Sequence, residues 1–117
     1  LVGSAFHGAY SWAAWFYRFT VVERGILSPA AAIHKLTGQP AAVLNLASRG
    51  ILRPGARADI AVFDPAAFAE TATLWQPNQT ATGMEYVLVN GILVLDRGAS
   101  TDNRPGQVLR NGASSAS

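Results

Sequence analysis

The sequence predicts an α+β chain in which helices come first and strands last. Three observations carry this. Apolar residues recur with a helical period between Tyr10 and Arg24. A short run from Ala58 to Phe63, apolar except for Asp59 near its start, lies between turn signals. Two β-rich runs, Glu85 to Asn90 and Ile92 to Asp96, meet at Asn90-Gly91, a dipeptide suited to a two-residue hairpin turn because both turn residues need positive φ. The change of pattern near residue 48 divides the chain into helices over 1–48 and strands over 49–110, followed by a small, polar, disordered tail over 111–117.

The first helix is expected from Tyr10 to Arg24. Trp12, Trp15, Phe16, Phe19 and Val22 or Glu23 follow i, i+3, i+4, i+7 spacing, which predicts that this aromatic stripe packs against neighbouring helices or strands. Gly25 closes the helix as a left-handed cap residue. A second helix opens at Ser28, an N-cap residue, with Pro29 in the first helical position and Ala30, Ala31 and Ala32 behind it. Ile33 and Leu36 supply its buried contacts and Gly38 ends it. A third, short helix runs from about Pro40 to Leu46.

Arg49-Gly50 and Pro54-Gly55 punctuate the chain, the latter pair suiting the two central positions of a type II turn. The strand from Ala58 to Phe63 is apolar on both faces beyond Asp59, which predicts cover on both sides. Asp64-Pro65 ends it, because proline cannot donate to a ladder. Residues 65–84 read as irregular, with Gln76-Pro77-Asn78-Gln79 a polar turn. After the hairpin, Arg97-Gly98 ends the last strand and the chain is loop-like from Ala99. Arg104-Pro105-Gly106 turns, and Gln107 to Arg110 is the last ordered segment. A sheet of so few strands needs partners to be stable.

Composition narrows the function. Half the residues are hydrophobic and 14% are charged, against about 25% charged in an ordinary soluble domain. That predicts surface covered by further polypeptide, and with Leu1 as the first residue it suggests a piece of a longer protein. The nine Lys and Arg residues are scattered, which argues against a nucleic-acid or anionic-membrane footprint. Without cysteine there is no thiolate metal site or disulfide framework. No apolar run reaches the ~18 residues that span a bilayer. No targeting segment is visible, so the cytoplasm is the default compartment.

One series of segments is more specific than any of its parts. Glu23 to Ser28, Ala32 to Thr37, Gln39-Pro40-Ala41, Arg49 to Gly55, Ala58 to Asp64 and Tyr86 to Gly91 occur in an order and spacing that resemble the C-terminal end of the amidohydrolase superfamily. The closing Arg104 to Arg110 is similar to the tail of its N-acyl-D-amino-acid deacylase (D-aminoacylase) branch. The resemblance implies a metal-dependent (β/α)8 barrel hydrolase with a small β-sandwich. Residues 1–48 would be the last barrel helices and 49–110 strands of the sandwich. It also implies hydrolysis of a non-peptide C–N bond in an N-acylated amino acid or related amide, with zinc activating water. The missing N-terminal part of the parent chain would be this segment's partner, and the segment alone would be inactive and bind no zinc. Two other readings stay open: a degenerate member with a scaffold role, and a cyclic-amide hydrolase of the hydantoinase or dihydroorotase kind.

Candidate site residues are few. The family pattern implies an Asp after Gly3-Ser4, where it would hold metal and act as a base, but this chain carries Ala5. His7 is the one candidate for an active-site loop residue. His34 reads as a solvated helix residue. Asp59 and Asp64 are five apart, so strand alternation puts them on opposite faces; they read as polar strand ends that bond turn amides.

Overall fold

The computed structural model describes residues 8–110. The chain is a short helical layer followed by one antiparallel sheet. Helix α1 spans Gly8–Tyr17 and continues as a π-helical segment, Arg18–Glu23. Helices α2 (Pro29–Leu36) and α3 (Gly38–Val43) follow, then strands β1 (Ile60–Phe63), β2 (Met84–Val89), β3 (Ile92–Asp96) and β4 (Ala99–Ser100).

The first helix therefore covers the expected span but changes pitch at residue 18. The Thr20 hydroxyl donates to the Phe16 carbonyl at 2.7 Å, and Arg24 N–H reaches back five residues to the Phe19 carbonyl at 3.0 Å. A side chain that competes for the i−4 carbonyl favours such a bulge. Gly25 ends the segment at φ +60°. The Ser28 hydroxyl caps α2 by accepting from Ala31 N–H at 3.2 Å, as its position predicts. Gly38 opens α3 instead of ending α2, and α3 stops at Val43 rather than Leu46. Gly38 is buried, and an added Cβ would lie 2.8 Å from the His34 ring, so here the glycine serves packing.

The aromatic stripe does not pack as its spacing suggests. Trp12, Trp15 and Val22 are 54%, 46% and 55% exposed, whereas Ser11, Ala14, Tyr17 and Thr20 form the buried face. The helix has two apolar faces, and the one with smaller side chains lies closer to α2, where Ala32 is fully buried. The core joins Ala14, Tyr17, Ala32 and Phe68, with Phe16, Leu27, Ile33, Phe63 and Met84 packed against it. Tyr17, Phe63 and Phe68 form its aromatic centre, with ring centroids 4.5–5.9 Å apart. This triad joins the helices to the sheet.

The sheet order is β1-β2-β3-β4, all antiparallel. Asn90 (φ +51°) and Gly91 (φ +80°) make the expected hairpin turn. Arg97 (φ +48°) and Gly98 (φ +78°) make a second two-residue turn, so the chain past Ala99 begins with β4 and not with a loop. Arginine is uncommon in left-handed geometry, which concealed this turn. Strand β1 is shorter than expected, and Ala61 and Val62 are exposed, so it is not covered on both faces among the described residues. The Pro54-Gly55 turn closes with Ala56 N–H donating to the Arg53 carbonyl at 3.1 Å. Residues 65–83 are irregular except for one bridge, Ala69 to Thr82.

Candidate functional site

Ala5 and His7, the positions to which the sequence directs attention, lie outside the described residues, as does the tail at 111–117. His34 is exposed on α2. Among the described residues no group of three His, Cys, Asp or Glu could hold a metal ion. The segment described therefore does not fit a zinc centre.

The polar cluster that the fold does build is centred on Arg49. Its guanidinium pairs with the Asp59 carboxylate and donates to Asn90 Oδ1 at 2.7 Å. The other Asp59 oxygen accepts from Asn90 N–H at 2.8 Å. Asn90 Nδ2 donates to the Pro105 carbonyl at 2.8 Å. Gly91 N–H donates to the Ala58 carbonyl at 2.9 Å. One clasp thus ties the loop after α3, the entry to β1, the β2–β3 turn and the C-terminal segment. Partial burial pushes the Asp59 carboxyl up, but the Asn90 N–H, the Arg49 hydrogen bond and charge, and the Arg57 charge together hold it below the usual carboxylate range.

Asp59 and Asp64 thus act as polar strand ends, as expected. Asp64 Oδ1 accepts from Ala66 N–H at 2.9 Å, closing the turn after β1. Arg49 was not recognisable as a site residue. Its partners lie 10 and 41 positions away, and only the hairpin geometry brings them together. The cluster is fully paired and presents no nucleophile, so its chemistry is that of a structural joint.

The second feature is an open, largely apolar groove of about 550 Å³ beside α1, lined by Trp12, Phe16, Lys35, Leu36, Gln39, Pro40, Val43 and Leu44. Lys35 and Gln39 supply its polar groups. Such a lining accommodates apolar side chains; it carries no acid–base pair.

Comparison with known proteins gives consistent matches. A model described as an amidohydrolase family matches residues 4–95. The N-acyl-D-aspartate deacylase of Alcaligenes xylosoxydans xylosoxydans is 46% identical over 95 residues, covering 81% of this chain and 19% of that protein. The N-acyl-D-glutamate deacylase of the same organism is 44% identical, covering 82% and 20%. Among solved structures, the Bordetella bronchiseptica N-acyl-D-glutamate deacylase, complexed with zinc and a phosphonate inhibitor, superposes with a TM-score of 0.70 at 42% identity, covering 80% of this chain and 19% of its own. A D-aminoacylase variant crystallised with copper chloride gives 0.79 at 36% identity, covering 83% and 20%. The chain spans about a fifth of the length of the relatives it matches.

Proposed function

The chain belongs to the amidohydrolase family, and on that premise we propose that it is the C-terminal part of a metal-dependent hydrolase that deacylates N-acyl-D-amino acids. Residues 1–48 would supply the last helices of a (β/α)8 barrel and 49–110 strands of its small β-sandwich. The observation that carries this reading is the 46% identity with an N-acyl-D-aspartate deacylase over four fifths of the chain. Two of the matched relatives are named for acidic substrates, which favours N-acyl-D-aspartate or N-acyl-D-glutamate. The residues that bind substrate and zinc would lie in the portion of such a protein that this chain does not match. The chain alone would then be inactive, and the missing portion would be its partner. A second reading, a non-catalytic member with a scaffold role, rests on Ala5 in Gly3-Ser4-Ala5.

The test is a chimera in which this chain replaces the matching segment of the Alcaligenes N-acyl-D-aspartate deacylase. It is assayed for zinc-dependent release of D-aspartate, with Ala5 and with Ala5→Asp. The catalytic reading expects deacylation in the Ala5→Asp chimera, and none from residues 1–117 alone. A folded Ala5→Asp chimera without activity favours the scaffold. Turnover by the 117-residue chain itself would overturn the assignment of catalysis to other residues.

A further inference from the structure

We infer that the outward face of α1 and its π-helical extension, with the adjoining groove, is the surface on which the catalytic portion of a deacylase packs. The inference rests on the proposed function and identifies the surface that completes it. The inner face of this helix is already occupied by the core through Ala14, Tyr17 and Thr20. The outer face carries Trp12, Trp15 and Val22, each about half exposed. Single exposed apolar residues are ordinary, but a contiguous patch signals a covered surface. Trp12 also lines the groove that continues over Phe16, Leu36 and Pro40, and Trp15, three residues along the same helix face, stacks on Phe19.

The face is ordered in advance. Trp15 and Phe19 stack with centroids 5.2 Å apart and an interplanar angle of 14°. The Arg24 guanidinium lies 5.2 Å over the Phe19 ring. Side chains fixed before binding lose less entropy on docking. The helical segment is also net positive: Glu23 is the only carboxylate between residues 8 and 48 and pairs with Arg18 at 3.9 Å, which leaves Arg24 and Lys35 unbalanced.

The relatives are about five times longer than the stretch matched here. One solved D-aminoacylase has a binuclear metal centre, while the described residues offer no group able to hold a metal. A deacylase built with this segment therefore contains a large metal-bearing portion that must meet it somewhere. A second copy of the chain fits less well, because it would bring Arg24 and Lys35 of both copies to one contact with no carboxylate of residues 8–48 left to balance them, Glu23 already pairing with Arg18 at 3.9 Å. The occupant should instead present apolar side chains with carboxylates at their border.

Co-expression of the tagged 117-residue chain with the upstream four fifths of the Alcaligenes N-acyl-D-aspartate deacylase tests this. The two are expected to co-purify. Trp12→Lys and Trp15→Lys should each weaken retention at least about tenfold, the effect of losing one central aromatic anchor, while Val108→Lys should not. Retention unchanged in both Trp variants, or no co-purification with an upstream portion shown to be folded by circular dichroism, would overturn the inference. So would a homodimer of the chain that both Trp variants dissociate. Because the upstream portion can fail to fold alone, the same substitutions are also placed in the chimera. There Trp12→Lys and Trp15→Lys must lower the thermal midpoint and Val108→Lys must not; equal midpoints refute the surface. A complex that forms through this face but does not deacylate even with Ala5→Asp leaves the surface standing and defeats the proposed function. An active complex indifferent to Trp12 and Trp15 does the reverse.

Discussion

Removing the Asp59 carboxylate should loosen the joint between helices and sheet more than any other single exposed polar change. Asp59→Ala strips Arg49 of its counter-ion and Asn90 N–H of its acceptor. The side chains of Arg49 and Asp59 are 13% and 30% exposed, so the pair lies between the surface limit of about 0–1 kcal/mol and the buried limit of about 3–5 kcal/mol. With hydrogen bonds to charged groups contributing about 1.5–3 kcal/mol each, the expected loss is about 2–3 kcal/mol. Asp59→Asn keeps an acceptor for Asn90 N–H but loses the charge, and should cost about half as much by the same reasoning. Urea denaturation followed by tryptophan emission gives the stability. Amide exchange at Asn90 reports the joint itself, since its N–H loses protection in the Ala variant. A double-mutant cycle with Arg49→Met should return a coupling of about 1–2 kcal/mol. Asp59→Ala within about 0.5 kcal/mol of the parent, with Asn90 still protected, would refute the reasoning.

Other outcomes follow from the same geometry. The carboxyl of Asp59 is held below its unfolded value, so its contribution is complete above about pH 4 and is lost as pH falls through the lowered folded value. A pH series of urea midpoints should therefore decline in acid less steeply for Asp59→Asn than for the parent. Gly50→Ala should destabilise by about 2 kcal/mol or more, because Gly50 has φ +75° and a Cβ would lie 2.7 Å from both Ala41 Cβ and the Thr37 carbonyl; equal midpoints would contradict it. Phe68→Ala should cost about 3–4 kcal/mol, since Phe68 is 7% exposed at the centre of the aromatic triad; thermal melting reads this. Ser28→Ala should cost about 1 kcal/mol or less, through fraying of α2 visible in far-UV circular dichroism.

Local signals were legible where local chemistry decides. The Ser28 cap, the Pro54-Gly55 turn and the Asn90-Gly91 hairpin each depend on residues within four positions of one another. The facing of α1 was not legible, because both its faces are apolar and periodicity cannot choose between them. The choice depends on Ala14 and Ala32, small residues that allow close helix approach but carry little hydrophobic signal. The second hairpin was concealed by Arg97, which takes a conformation its side chain does not favour. Arg49 was illegible for another reason: its role depends on a contact across 41 residues that no periodicity encodes.

Strand β1 lies at the border of the sheet, with β2 on one side and no described strand on the other. Ile60-Ala61-Val62-Phe63 carries no charge and no proline, which makes it a template for illicit strand addition. Its gatekeepers are Asp59 before it and Asp64-Pro65 after it. In the folded chain Arg49 neutralises Asp59, so one of these guards is spent on holding the strand in place. Asp59 thus both flanks the apolar strand with charge in the sequence and anchors that strand in the fold.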